Sequence, residues 1–236
     1  MLGLSHEREV LKFSERKYQL MEYTYTGTAH ESLVDAYAAD DDRFRTPQQS
    51  AFPERATTVE EVGILRRLLF PGCWNASTLV GDADAVKETL DELGQRFCQG
   101  IQPYANQCLA TVVTNVLDQL PAIRKLLKRD VEAAYKGDPA AKSYVEVIRS
   151  YPGFHATMVH RVAHAIYEEG EGVYARELSE AAKSVSGIDI HPGAELGEYF
   201  FIDHGSGVVI GETAEVGDWA RIYQEVTHCA LHFEED

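Results

Sequence analysis

Apolar residues recur at three- and four-residue steps through the middle of the chain, and from Ile190 onward they recur at six. The first pattern is that of helices with one buried face. Thr57-Thr-Val-Glu-Glu-Val, a threonine followed three residues later by glutamate, predicts a capped helix start leading into Ile64, Leu65, Leu68 and Leu69. A second helix is expected over Asp82 to Phe97, with Val86, Leu90, Leu93 and Phe97 on one face, and a third over Tyr104 to Leu117. Pro121 suits the first turn of a fourth helix, which carries Ile123, Leu126, Leu127, Val131 and Ala134 and should end near Gly137. After Pro152-Gly153 a fifth turns Phe154, Met158, Val162, Ala165 and Ile166 inward and stops at Gly170; a sixth covers Val173 to Lys183. The polar residues 1–55 read as an irregular extension, with loops at Ala38–Asp42 and Thr46–Ser50 and a short helix only at Glu7–Leu20.

The six-residue pattern has a different cause. Ile190, Leu196 and Ile202 are spaced by six, and after a two-residue slip Ile210, Val216, Ile222 and His228 resume the step. Small or compact residues stand four places after most of them, at Ala194, Ser206, Ala214, Ala220 and Val226. Neither a helix nor an alternating strand repeats every six residues; coils of a hexapeptide β-helix do, each short strand giving one aliphatic residue to a stacked interior. The expected fold class is therefore α+β: a polar extension over 1–55, an all-helical domain over 56–185 and a short β-helix over 186–236.

Composition narrows the classes of function. With 38 acidic against 22 basic residues the 236-residue chain has a net charge of −16, which disfavours nucleic acid or anionic membrane as a partner. No apolar run approaches the ~20 residues that span a bilayer, and no signal-peptide pattern opens the chain, so the cytoplasm is the expected location. Cys73, Cys98, Cys108 and Cys229 lack paired metal-ligand spacing and read as free thiols.

The candidate chemistry lies mostly in the hexapeptide region. Asp189 and His204 are fifteen residues apart, which on a three-faced solenoid brings them to neighbouring strands of nearly one coil. A carboxylate bonded to one imidazole nitrogen fixes the tautomer and lets the other nitrogen take a proton near neutral pH. The plain alternative for His204 is a solvated turn histidine. His160 and His164 stand at i and i+4, the zinc metalloprotease spacing, but Arg161 occupies the place of the general-base glutamate and no third ligand is near. Packing explains them better, and no metal site is expected there. His228, Cys229 and His232 are metal-like in composition only. The chain also lacks a phosphate loop and a nucleophile elbow, in keeping with direct attack by a substrate hydroxyl rather than a covalent enzyme intermediate.

Several runs carry a family likeness: Gly187-Ile-Asp-Ile-His-Pro-Gly-Ala194, Phe200 to Thr213, Ile222-Tyr-Gln with Val226-Thr227, Asp138 to Tyr144, Tyr151 to Ala156, and His160 to Tyr167. Together they resemble serine O-acetyltransferase of the hexapeptide-repeat acyltransferases, over roughly residues 120–227. The resemblance implies that the β-helix is left-handed. It implies transfer of an acetyl group from acetyl-CoA to the hydroxyl of L-serine, giving O-acetylserine for cysteine biosynthesis, with acetyl-CoA as co-substrate and no permanently bound cofactor. His204, in Asp203-His204-Gly205, would be the general base and Asp189 its support. Asp138 and Asp203 would be substrate-binding carboxylates, although Gly137-Asp138-Pro139 also makes local sense as a helix stop; Glu212 is carried over as a further site residue. The family forms homotrimers through the solenoid and hexamers through the helices, with the site at the seam between chains. Beyond Thr227 the likeness fails: the family continues with more coils, which hold acetyl-CoA and a second active-site histidine, and with a tail for O-acetylserine sulfhydrylase. None of that wording follows here, so no cofactor-binding residue is assigned, acetyl-CoA is expected to bind weakly or not at all, and an inactive chain is one of the expectations. The rival readings are a degenerate acetyltransferase serving assembly, and an acyltransferase for another acceptor.

Overall fold

The structure is a computed structural model that describes residues 24–39, 52, 54–105 and 109–229. The chain divides into two compact units, residues 1–48 and 49–236. In the first, α1 (Ala29–Ala39) is a helix with no buried residue. The expected loop at 38–42 therefore begins with two helical residues; α1 is rich in alanine, and helix propensity needs no core. The expected helix at Glu7–Leu20 lies outside the described residues.

The second unit opens with helices α2 (Arg55–Leu69), α3 (Ala83–Ile101), α4 (Leu109–Gly137), α5 (Tyr144–Ser150), α6 (Pro152–Glu168) and α7 (Gly172–Ser186). Two sequence expectations need correcting. Helix α2 begins at Arg55 behind Glu54, with no side-chain cap, so Thr57 and Thr58 lie inside the helix and form no capping box. The third and fourth expected helices are one: α4 runs through Pro121 without ending. Proline removes an N–H and crowds the preceding turn, a local cost of ~3 kcal/mol. Against it stands one continuous buried stripe, Val113, Val116, Leu120, Ile123, Leu127, Val131 and Ala134, and the burial of those side chains at ~1.5–3 kcal/mol each outweighs the loss.

Elsewhere local chemistry acts as written. Asp82 Oδ1 accepts from the Ala85 N–H at 3.0 Å to cap α3, and Ser143 Oγ accepts from Glu146 N–H at 3.1 Å to cap α5. Pro152 sits in the first turn of α6, and Gly187 closes α7 in the left-handed conformation at φ 70°. Helix α6 is central, packed against α4 and α7, and is buried along nearly its whole length.

Gly187 is followed by strands of two residues each: β1 (Asp189–Ile190), β2 (Glu195–Leu196), β3 (Phe201–Ile202), β4 (Val209–Ile210), β5 (Glu215–Val216), β6 (Arg221–Ile222) and β7 (Thr227–His228). All pairing is parallel, in the orders β1-β4-β7, β2-β5 and β3-β6, which makes three faces of a stacked solenoid. Ile190 registers on Ile210 and Ile210 on His228, Leu196 on Val216, and Ile202 on Ile222. Thus the hexad residues are the second residue of every strand, and all but the exposed His228 fill the interior with Ala194, Val208 and Ala214. Asp189 pairs with Val209, whereas Val209 pairs with Thr227, so successive coils differ by two residues. The slip in the sequence period is a longer corner between β3 and β4.

Two polar joints fasten α4 and α6 to this solenoid. Arg161 donates to both carboxylate oxygens of Asp130 on α4, at 2.7 and 3.0 Å, and to the carbonyls of Leu196 and Gly197 at 3.3 and 2.8 Å. Asp130 also accepts from the Phe200 N–H at 2.9 Å. His164 Nδ1 bonds the Pro192 carbonyl at 2.8 Å, and the buried His160 ring lies tilted beside it with centroids 5.8 Å apart, so the metalloprotease-like spacing is a helix-to-corner joint. Among the described residues no group of His, Cys, Asp and Glu could hold a metal ion. Cys73, Cys98 and Cys229 are free thiols; Cys108 and His232 lie outside the described residues.

Candidate active site

The longer corner carries His204. The backbone there turns through the left-handed region at His204 (φ 59°), Gly205 (φ 88°) and Gly207 (φ 76°). Histidine tolerates that region better than most side chains, whereas a side chain at Gly205 would be strained by its φ and would force Ile188 and Ile202 to shift, since a Cβ there would lie 2.5 Å from Ile188 Cδ1 and 2.8 Å from Ile202 Cγ2. The Gly207 N–H donates to the Gly187 carbonyl at 3.0 Å and the Glu225 N–H to the Ser206 carbonyl at 2.9 Å, pinning the corner between coils. The imidazole itself projects outward with its side chain 77% exposed, and its Nε2 lies 3.8 Å from Asp203 Oδ1.

Asp203 is buried at the end of β3 and accepts from Arg221 Nη2 at 2.6 Å. Arg221 comes from β6, one coil on, in register with Phe201; its guanidinium lies 5.2 Å from the Phe201 ring centre and 4.9 Å from that of Tyr223. The bond to Asp203 raises its already high pKa, so the charge is permanent.

The helical part supplies the other half. Gly137 ends α4 against the Phe201 ring, which a Cβ would approach to 3.1 Å, and the chain turns at Asp138. Asp138 Oδ1 accepts from the Ala140 N–H at 2.8 Å, and Oδ2 accepts from the Tyr151 hydroxyl. The Tyr151 bond, then the Ala140 bond, hold the Asp138 carboxyl below the usual carboxylate range, with smaller help from Arg221 and His204. Burial and the neighbouring Asp138 push the Tyr151 hydroxyl well above its ordinary value, so it stays a donor. Asp138, Asp203 and His204 therefore share one neighbourhood, joined by Tyr151 and Arg221. An exposed imidazole beside two carboxylates and a guanidinium can hold a zwitterion and take a proton from it.

The other two sequence candidates lie elsewhere. Asp189 is engaged by Lys183 at 2.7 Å and by Arg176 at 3.1 Å, both from α7, and the bond to Asp189 raises the Lys183 pKa. A separation of fifteen residues does not by itself place its carboxylate on His204. Glu212 sits on the corner after β4 and accepts from the Tyr167 hydroxyl at 2.7 Å, near His191, whose pKa burial lowers. Tyr151 and Arg221 are the residues that sequence reading missed. Tyr151 stands within one of the family-like runs only as the residue before a helix-starting proline, but Arg221 had a signal: it precedes Ile222 as Phe201 precedes Ile202, hence the two share an outward face.

A sequence profile described as serine acetyltransferase, N-terminal, matches residues 84–158. A plasmid serine acetyltransferase of Synechococcus elongatus is 55% identical over 117 residues, which is 50% of this chain and 37% of that protein. The serine acetyltransferase of Bacillus licheniformis is 52% identical over 103 residues, 44% of this chain and 48% of that one. The chain thus spans about half the length, or less, of these curated relatives. Two crystal structures from Entamoeba histolytica are matched more fully. Serine acetyltransferase isoform 3 in complex with cysteine superimposes with a TM-score of 0.68 at 44% identity, covering 84% of this chain and 70% of that one. Serine acetyltransferase 1 in complex with L-cysteine gives a TM-score of 0.70 at 40% identity, covering 87% and 75%. With helices feeding parallel coils in the same order, and with that identity sustained over more than two thirds of a solved relative, the chain belongs to the serine acetyltransferase family.

Proposed function

We propose that this chain forms the serine-binding and proton-transfer part of a serine O-acetyltransferase acting in cysteine biosynthesis. The observation that carries the reading is the meeting of Asp138, from the turn after α4, with Asp203 and His204 of the long solenoid corner. In this reading Asp138, kept ionised by Tyr151, takes the ammonium group of L-serine, and Asp203 holds Arg221 where its guanidinium meets the carboxylate. The serine hydroxyl then faces His204. The imidazole removes the hydroxyl proton as the oxygen attacks the thioester carbonyl of acetyl-CoA; the tetrahedral intermediate collapses, the C–S bond breaks, and the departing thiolate takes the proton back.

Asp189 acts as the support for His204 only after exchanging its partners Lys183 and Arg176, an exchange that a neighbouring chain at the seam would promote. Glu212, bonded to Tyr167, serves the same seam from another corner. The assembly is a homotrimer through the solenoid, or a hexamer of two trimers, in the cytoplasm. The test is release of free CoA thiol from acetyl-CoA in the presence of L-serine. Its loss in His204→Asn, with circular dichroism unchanged, supports the reading; undiminished turnover in that variant removes it.

A further inference from the structure

Four of the chain's 22 lysines and arginines fall within six residues of α4: Arg124, Lys125, Lys128 and Arg129. On a chain of net charge −16 this is a reversal of sign, and all four line one groove of about 540 Å³. The groove lies between α4, α5 and the corner after β2, on surface that the site residues do not share. Its floor is apolar, formed by Phe70, Val131 and Ile148, and its rim includes the rings of Tyr144 and Tyr199.

Among the described residues, three of the four charges have no acidic partner. Glu132, which also lines the groove, is paired with Lys136 at 2.5 Å, and Arg129 is paired with Glu198. Arg124 donates to a neutral acceptor, the Leu69 carbonyl, at 2.8 Å. Among the described residues Lys125 and Lys128 have no hydrogen-bond or ion-pair partner. Three positive charges are therefore left unmatched around a concave, partly apolar space. Its volume falls in the ~300–1,000 Å³ range of small-molecule sites. Lysines suit phosphate oxygens as point charges, and a tyrosine such as Tyr144, 48% exposed, can stack on a flat ring. A long nucleic acid would meet the acidic remainder of the surface, whereas a small polyanion meets only the groove.

We propose that this groove binds a diphosphate carried on a planar base, a ligand chemistry offered by a free nucleoside diphosphate and by the nucleotide end of coenzyme A. The phosphates lie between Lys125, Lys128 and Arg124, and the base lies over the apolar floor against Tyr144. Trp219 reports on the site, because its ring is stacked on Tyr199 with centroids 4.0 Å apart.

Calorimetric titration of the full chain with ADP, coenzyme A and inorganic pyrophosphate, at low salt and with Trp emission followed in parallel, tests the assignment. Expected is saturable binding of ADP, weakened at least roughly tenfold in Lys125→Ala/Lys128→Ala and retained in Lys125→Arg/Lys128→Arg. Binding of coenzyme A but not ADP, with the same lysine dependence, assigns the groove to the coenzyme's nucleotide. Equal binding of pyrophosphate and ADP overturns the role of the base. Absence of binding by both base-carrying ligands, or equal binding by the alanine variant, overturns the site. A change in oligomeric mass in the alanine variant with ligand binding intact also overturns it, since the lysines would then serve assembly.

Discussion

Individual side chains decide the chemistry, and His204 is where the first prediction falls. It is exposed on a corner held by Gly205 and Gly207, so replacing its ring should leave the coils intact. In an assembly competent for turnover, His204→Asn should lower kcat by ~10²-fold or more, since general-base catalysis contributes 10²–10⁴. Tyr151→Phe is a milder test. It removes the donor that chiefly holds the Asp138 carboxyl low, and it should raise KM for serine more than it lowers kcat. Two other histidines govern stability. Burial, then Arg66, lowers His155 to about 4, and burial lowers His160 to about 3, from an ordinary 6.5. Their folded values lie below the unfolded one, so the stabilisation is complete above pH 6.5 and is lost as pH falls toward 4. Each contributes a slope of ~1.4 kcal/mol per pH unit in that window. Burial raises Glu61 to about 7, which has the opposite sign: acidification favours the fold through that group. Urea unfolding between pH 6 and pH 5 should therefore show wild type losing ~2.4 kcal/mol relative to His155→Gln/His160→Gln. Parallel curves would refute the buried neutral state of both rings.

Between elements, the Arg161–Asp130 pair is the joint with most at stake. Its side chains are 6% and 2% exposed, and it ties α4 and α6 to three backbone groups of the corner after β2. Removing one partner leaves a buried charge alone; Arg161→Met should cost ~3–5 kcal/mol, and Arg161→Met/Asp130→Leu should recover a good part of it. If the double variant is as unstable as the sum of the single ones, the loss lies in packing. Gly153 tests the same interface sterically. A Cβ there would lie 2.1 Å from the Ile202 carbonyl oxygen, so Gly153→Ala must push α6 off β3. A loss of ~1–3 kcal/mol in denaturant midpoint measurements is expected, against the gain that alanine usually brings to a helix. At this scale the sequence was legible where one local interaction decides the outcome, as at the end of α4 at Gly137 or the left-handed Gly170 just beyond α6. It was misleading at Pro121, because the stripe that keeps α4 continuous exists only against the helices it packs on.

For the whole molecule, the solenoid presents outward rings and aliphatics that its own coils do not cover, among them Trp219 at 58%, Tyr223 at 45% and Val226 at 38% exposure. Short coils cannot bury their outer faces alone, so association is expected. Light scattering at micromolar concentration should give a multiple of the 26.3 kDa chain mass, and a single-chain mass would count against a site shared between chains. The net charge of −16 predicts that the assembly tightens with moderate salt, as repulsion between like-charged chains is screened. No described helix is long and apolar enough to cross a membrane.

The sequence by itself determined the change from helices to coils, the strand positions and the interior residues, because periods of 3.6 and six are set by backbone geometry and survive in any context. It also singled out His204, through the resemblance carried by Asp203-His204-Gly205, while the two-residue slip in the period proved to be the longer corner that exposes it. Only the tertiary structure decided which carboxylates stand beside that histidine. Asp138 arrives from 66 positions earlier in the numbering through the end of α4, Arg221 arrives from the next coil, and Asp189, closer in sequence, is drawn away by two cations of α7. Charge partners are chosen by distance in space, and sequence separation carries that information only where a regular repeat converts one into the other.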